Sequence, residues 1–413
     1  MNNDIKYAIK YHEETKHSPL SVRMSQHYLD WDNRPKPFKV YTNLPSIPLP
    51  RNFPLPLANA LDSISATGAH ADRVPAVDIN TLAEILFFSA GITREVKHNS
   101  GTYYMRAASA TGALYPIELY VICQDIVGLK AGVYHFCPGS FTLAELRKGD
   151  YRAELGDRMV SAPVTVAFTS IAWRNAWKYQ ARSYRHWFWD AGVIAANFLA
   201  TTVAADLTTR LVMGFVDKQV NQLLCLDERK EATVTLAPIG VGAALPPSRS
   251  TITVEHPKVM PLSKSEVDYP EIWEMHAASS LVDADQVRAW LDSTNQQPAK
   301  SNLSLPKYKV AAPVRKQDEA TLDKVILQRG STRKFARLPI SFDNLATILY
   351  SSTAGVPFDF LKNGDSVIDV YLIANAVEGL RPGSYFFSRE TGFLDAPNPI
   401  FHARNVKNGI TLA

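Results

Sequence analysis

Two stretches of this chain repeat one pattern, and the repetition limits the folds open to it more than any other feature. Residues 117–136, IELYVICQDIVGLKAGVYHF, align without a gap to residues 368–387, IDVYLIANAVEGLRPGSYFF, with identity at Ile, Tyr, Ile, Gly, Leu, Gly, Tyr and Phe. Upstream, TLAEILFFSAGI (81–92) matches NLATILYSSTAGV (344–356) with one inserted residue. Two blocks in the same order imply a tandem duplication, and an internal pseudo-dimer is its natural architecture. Each block reads as an amphipathic helix followed by a strand, a glycine turn and a second strand.

The duplication divides the chain into an arm (1–75), a first unit (76–245), a connector (246–320) and a partial second unit (321–413). The arm contains KPFKVYTNLPSIPLPRNFPLP, whose prolines disfavour regular helix or central strand, so it is expected to wrap the surface. Asp78 is placed to cap a helix with Leu82, Ile85, Leu86 and Phe88 inward and Gly91 at its end. A polar loop is expected from there to Tyr104. Strands follow over 118–124, 133–136, 141–146 and 164–170, then over 211–215 and 232–239. Helices are expected at 57–64, 271–275 and 284–291, and NQQPAKSNLSLPKYK is a linker by composition. The second unit stops early, so it reads as a shortened copy whose sheet edges lack partners.

The stretch 173–190, WRNAWKYQARSYRHWFWD, holds four of the seven Trp. As one continuous helix, its spacing puts Arg174, Lys178, Arg182 and Arg185 on one face, with Trp173, Trp177, Tyr184 and Trp187 on the adjoining one. A cationic, aromatic-lined face suits a planar anionic ligand; a solvated basic face over packed aromatics explains the spacing equally. The apolar run AGVIAANFLATTVAA continues it as a buried helix. Only the first unit contains this stretch, so one such face exists per chain.

Composition narrows the function classes. A hydrophobic fraction of 46% and a charged fraction of 20% describe an ordinary soluble globular protein. A net charge of +4 is too slight for a nucleic-acid binder. Three Cys without CxxC or CxxH spacing imply neither a disulfide framework nor a zinc site, but buried free thiols. His98, His135 and His186 share no metal-ligand spacing, and neither a P-loop nor a GxSxG elbow occurs. The charged N-terminus is not a secretory signal, and no run reaches bilayer-spanning length, so a cytoplasmic location is expected.

Three blocks, RAASATGALYPIELYV, GLKAGVYHF and KYQARSYRHWFWDAGVIAANFL, resemble the SagB-type dehydrogenase branch of the FMN-dependent nitroreductase superfamily, as do YHEETKHS, HYLDW and PFKVY in the arm. This resemblance implies an α+β fold, with antiparallel-dominated sheets flanked by helices and FMN at the interface of two nitroreductase-like units. It gives acid/base work to Lys178 and Tyr179, and makes Arg182 and Arg185 ligands or scaffold partners. The phosphate element Arg-x-Ser-x-Arg matches Arg329, Ser331 and Arg333, which alternatively form a basic helix end. Arg106, Ser109, Thr111 and Gly112 fall in the flavin-contacting loop, Arg106 as a phosphate ligand or a loop cap. Two departures stand out. Ser109-Ala110-Thr111-Gly112 replaces Pro-Ser-(Ala/Gly)-Gly, and Asp206-Leu207-Thr208-Thr209 replaces a Gly-Leu-Gly turn that lets the backbone approach the ring.

The function implied is dehydrogenation of a peptide-derived or small heterocyclic substrate, with proton removal near the flavin. Three neighbouring cations would make Lys178 a better base near neutrality. The alternatives are an NAD(P)H-dependent nitro- or quinone reductase, and a non-catalytic scaffold suggested by the altered loops. A homodimer beyond the internal pseudo-dimer stays open; nucleic acid and membrane are not expected partners.

Overall fold

The computed structural model describes residues 4–66, 76–98, 101–156, 162–242, 244–248, 252–294, 307–310, 320–361 and 367–395. Most of the expected linker, at 295–306, lies outside these residues. The chain opens with α1 (Ile5–Thr15), α2 (Pro19–Met24), β1 (Ser46–Pro48) and α3 (Ala60–Ser65). Then come α4 (Ile79–Ala90), β2 (Ile92–His98), β3 (Gly101–Arg106), β4 (Ile117–Cys123), β5 (Gly132–Cys137) and β6 (Thr142–Lys148). Next are β7 (Val164–Ile171), α5 (Ala172–Tyr179), α6 (Tyr184–Ala204), α7 (Asp217–Leu223) and β8 (Glu231–Ile239). The connector carries α8 (Pro270–Ser279), α9 (Ala284–Thr294) and β9 (Lys307–Lys309). The chain's last described part holds α10 (Leu322–Gln328), α11 (Phe342–Ser352), β10 (Val370–Ala374), β11 (Gly383–Ser388) and β12 (Phe393–Asp395).

The fold is α+β. Its main sheet has the order β1-β6-β5-β4-β7-β8, antiparallel throughout. Alternation sends Leu119, Val121, Val166 and Phe168 to one face, where α4 and α6 cover them with Leu82, Ile85, Trp187, Ile194 and Phe198. Tyr120, Ile122, Ala167 and Leu236 point to the other face, under Val212, Phe215, Val220 and Leu223. Each large apolar side chain buried this way contributes about 1.5–3 kcal/mol. All three Cys are buried and free.

The duplication is visible atom by atom at the two hairpin turns. Tyr134 Oη donates to the Lys130 carbonyl at 2.8 Å, and Tyr385 Oη to the Arg381 carbonyl at 2.6 Å. The bridge Ile126–Leu129 recurs as Val377–Leu380, and each turn hangs beside the start of its own helix through Asp78–Val127 or Ile340–Val377. Even the left-handed residue after the hairpin recurs, as Phe141 (φ 58°) and Gly392 (φ 68°). The surroundings differ. β4 is a central strand with Tyr120 and Ile122 at 0% exposure, whereas β10 is the edge of the four-stranded sheet β10-β11-β12-β9, with Tyr371 and Ile373 at 68% and 71%. Among the described residues no strand pairs with the outer side of β10.

Several expectations are corrected. The loop expected before Tyr104 is the β2–β3 hairpin, because a polar alternating run can pair with itself without a buried face. Residues 211–215 form only isolated bridges, to Leu236 and Phe358, and α7 follows them, unforeseen. The arm does more than wrap the surface. It forms α1 and α2, supplies edge strand β1, and buries Lys39 against Glu231 at 2.5 Å. The segments also cross between halves. α10 packs with Ala60, Phe88, Ala107 and Ala200 rather than on the second sheet, and Asp359 accepts from the amides of Met213 and Gly214.

The two turn glycines make a test of how context alters an identical motif. A Cβ at Gly128 (φ +87°) would stand 2.4 Å from Ile79 Cγ2, whereas one at Gly379 (φ +76°) would meet nothing within 4 Å. Gly379→Ala should cost about 1–2 kcal/mol from backbone strain alone. Gly128→Ala should cost a further ~1–3 kcal/mol from overpacking. Urea unfolding of both variants measures the difference, and equal losses would contradict it.

Candidate active site

The loop between β3 and β4 is the structural centre of the candidate site. It reverses direction through three left-handed residues, Gly112 (φ 62°), Ala113 (φ 54°) and Tyr115 (φ 51°). Two of these carry a Cβ, so the loop is strained and must be held. Asp190, on α6, does this: its Oδ1 accepts from Thr111 N at 2.8 Å and Thr111 Oγ1 at 2.7 Å. Its Oδ2 accepts from Asn175 Nδ2 at 3.1 Å. Burial pushes the Asp190 carboxyl up from the usual range, while these donors pull it back.

Gly112 stands against Lys178 and Tyr179. A Cβ there would lie 2.9 Å from Tyr179 Oη and 3.5 Å from Lys178 Cδ, so the glycine is needed both for its φ and for the close approach. Burial, and then the Asp190 charge, push the Tyr179 hydroxyl up, which keeps it a proton-bearing donor. The Tyr179 ring meets His186 edge-on at 4.4 Å, and His186 stacks on Trp189 at 5.0 Å. Burial first, then Arg182, His17 and Arg185, press His186 down to about 4, so its imidazole is neutral at neutral pH. Ser109 lines a small recess of about 10 Å³, partly open to solvent, together with Arg106, Tyr115, Asp190 and Ile194.

The stretch 173–190 is not one helix. Gln180 takes φ 51°, ψ −144°, which ends α5, and a 3-10 turn over 180–183 leads into α6. The four cations therefore do not share a face. Arg174 is fully buried, paired with Glu118 and donating to the Tyr115 carbonyl at 2.7 Å. Arg182 and Arg185 turn to the end of α1, where Arg182 Nη1 meets the Thr15 carbonyl at 2.6 Å and Arg185 Nη2 meets the His12 carbonyl at 3.0 Å. The cationic crowding anticipated around Lys178 is dispersed in this way, and Lys178 lies 5.4 Å from the Tyr179 ring centroid.

Arg106 is also taken up within the chain. It is buried, donates to the Pro37 carbonyl at 2.5 Å, and lies over the rings of Tyr115 and Phe38. Burial brings its guanidinium down to about 10. Arg329 reaches the same loop from the other half, its Nε 3.3 Å from the Ala107 carbonyl and its Nη2 3.3 Å from that of Arg106. Arg329 caps the C-terminus of α10, and Ser331 and Arg333 follow in an exposed segment without regular secondary structure. At the altered turn, Asp206 keeps a left-handed backbone (φ 56°) without a glycine, which an Asp side chain tolerates. Sequence spacing points to no site role for Asp190 or Asn175, and marks His186 only as a histidine without metal-ligand spacing. The one available signal was that Asp190 is the sole acid in 173–190.

Residues 69–241 match the nitroreductase family. The chain carries a nitroreductase-family domain, an oxidoreductase domain. It is similar to a protein of Methanocaldococcus jannaschii named as a nitroreductase, at 26% identity over 168 residues, covering 39% of this chain and 80% of that protein. It is also similar to the trifolitoxin-processing protein TfxB of Rhizobium leguminosarum (28% identity; 48% of this chain, 57% of TfxB). The microcin B17-processing protein McbC of Escherichia coli matches at 27% identity over 31% of this chain and 49% of McbC. The chain thus matches about half the length of these two processing proteins. A solved structure named as a nitroreductase, from Anabaena variabilis, shares the fold with a TM-score of 0.68, at 22% identity, over 94% of this chain and 78% of its own. The strained loop, Asp190 and the α5–α6 elbow all lie inside the matched nitroreductase domain. No helix among the described residues is long and apolar enough to cross a membrane.

Two outcomes follow for the nitroreductase domain. Asp190→Ala leaves the loop without its acceptor and should lower stability by about 1–3 kcal/mol, read by chemical denaturation; no loss would deny Asp190 its anchoring role. For His186, the unfolded chain holds more protons than the folded one between pH 6.5 and about 4. Its contribution is therefore complete above 6.5 and disappears as the pH falls through 4. Melting curves across that window should show a steeper acid loss in the native chain than in His186→Phe.

Proposed function

We propose that the chain is an FMN-dependent oxidoreductase of the SagB type that dehydrogenates a peptide-derived heterocycle in the cytoplasm. The observation that carries this reading is the convergence on one loop: Lys178 and Tyr179 close on Gly112 from α5, while Arg329 holds the Arg106–Ala107 carbonyls from the other half. The chemistry of the donors fits a flavin phosphate. Ser331 and Arg333 are exposed, and no hydrogen bond or ion pair engages their side chains among the described residues, so both are available to an anion next to the loop. The similarity to two peptide-processing proteins favours a peptide-derived substrate.

When bound, FMN would supply the two-electron oxidation. Arg329, Ser331 and Arg333 would hold its phosphate, with Arg106 keeping the loop beneath in shape. Gly112 would present backbone to the ring, with Thr111 held by Asp190 to shape the loop, and Tyr179 would hydrogen-bond to the ring or to substrate. Lys178 in its amine form would accept the proton released as the substrate C–H next to nitrogen or sulfur gives up its hydride. The buried His186 backs the half-buried Tyr179 on one side of the pair.

A second reading, an NAD(P)H-dependent nitro- or quinone reductase, is favoured by the similarity to the M. jannaschii protein over most of that protein's length. The purified chain should be yellow, or become so with added FMN; a chain that stays colourless would sink both readings and favour a scaffold. Anaerobic bleaching by NADPH would select the reductase. Arg333→Ala should weaken FMN binding by roughly tenfold to a hundredfold, the worth of one charge-assisted hydrogen bond. Lys178→Ala should keep FMN but lose about 10²–10⁴ in kcat; full turnover would remove Lys178 from the chemistry.

A further inference from the structure

The backbone of Gln180 occupies a region that essentially only glycine enters freely (φ 51°, ψ −144°), at a cost on the order of 1–3 kcal/mol for a residue with a side chain. The sequence of 173–190 would otherwise run on as one helix, so a relaxed alternative exists. The Gln180 side chain is hydrogen-bonded to Tyr269, and the N-terminal residues grip the chain on both sides of the elbow. Before it, Trp177 Nε1 donates to the Asp30 carbonyl at 3.0 Å, His27 Nε2 donates to the Trp177 carbonyl at 3.1 Å, and Trp31 packs edge-on to Trp177 at 5.4 Å. After it, Tyr11 Oη donates to the Ala181 carbonyl at 2.6 Å. Arg182 meets the Thr15 carbonyl, and Arg185 meets the His12 carbonyl, His12 Nδ1 at 3.1 Å and Thr15 Oγ1 at 2.9 Å.

The electrostatics suit a grip rather than chance contact. The last carbonyls of α1 carry the negative end of its dipole, and two guanidinium groups there are favourable. Neither Arg182 nor Arg185 has a carboxylate partner among the described residues. α1 has little else to hold it: Tyr11 is its one buried residue, and Ile5 and Ile9 are exposed. A second tie, from Tyr7 Oη to Glu274 at 2.5 Å, fixes α1 to α8.

We infer that residues 4–33 are a clasp on the elbow, and that Arg182, Arg185 and Tyr11 are positioning residues that hold Gln180 in its strained conformation and Lys178–Tyr179 against Gly112. The catalytic consequence rests on the flavin reading above; the clasp itself does not. Straightening the elbow would turn Tyr179 away from the Gly112 loop and join the four cations into the single helical face that the spacing favours.

The test uses the full chain carrying 3-fluorotyrosine at position 179. In the unaltered chain, ¹⁹F NMR should show one narrow Tyr179 resonance, and trypsin should cut slowly at Lys16 and Arg23. In the Arg182→Ala/Arg185→Ala double variant, cleavage there should accelerate about tenfold or more, as the open population rises. The Tyr179 resonance should shift and broaden at the same time. Tyr11→Phe, a milder change that keeps the fold if the double variant does not, should move both readouts in the same direction by less. Arg182→Lys/Arg185→Lys should recover part of each. Gln180→Gly with the clasp intact should raise the melting temperature and leave the resonance in place, because glycine adopts this backbone without strain. Unchanged cleavage would overturn the clasp, and faster cleavage with an unmoved Tyr179 resonance would overturn the positioning role. If the resonance moves but no form of the chain takes up FMN, the flavin reading fails and the clasp stands.

Discussion

Arg174 lies at zero exposure in the first turns of α5, paired with Glu118 on the central strand β4 and donating to the Tyr115 carbonyl in the strained loop. A buried guanidinium without its carboxylate would cost several kcal/mol, so this contact fixes where α5 begins and which way it faces. Burial pushes Glu118 up, but Arg174, and after it His135 and Arg106, hold it down at about 2, so the pair stays ionised. One interaction thus ties the sheet to both walls of the candidate site, the loop on one side and the elbow on the other. Asp190 then closes the triangle by bonding loop and α5 from α6.

The duplicated halves show how far a shared local code can go. Both hairpins close with the same Tyr-to-carbonyl bond, the same bridge and the same left-handed residue. The code does not extend to burial. β4 gains β7 and two covering layers; among the described residues β10 is an edge strand, with Tyr371 and Ile373 exposed. The halves also exchange segments, since α10 packs against α3 and α6 and Arg329 reaches the first loop. Arg329 from one half therefore meets the loop of the other at the candidate site.

The nitroreductase match gives the domain its oxidoreductase class, and the arm contacts both sides of the α5–α6 elbow. Arg182 and Arg185, which the spacing offered as ligands, are drawn to the end of α1 because exposed helix carbonyls are strong acceptors close at hand. Lys178 is left as the cation of the four nearest Tyr179 and Gly112, so the proposed proton transfer falls to a defined pair rather than to a diffuse basic face.

By itself the sequence determined the repeated pattern, the Asp78-capped helix and the strands of both hairpins. All of these rest on local periodicity, turn chemistry or motif spacing, which act between near neighbours in the chain. Only the tertiary structure decided that 173–190 bends at Gln180, that Arg174 is internal and that Asp190 anchors the loop. It also decided that α10 crosses to the other half. The physical reason is the same in each case. A left-handed Gln, a buried arginine and a strained Ala113–Tyr115 turn are unfavourable locally, and they persist because partners distant in sequence compensate them.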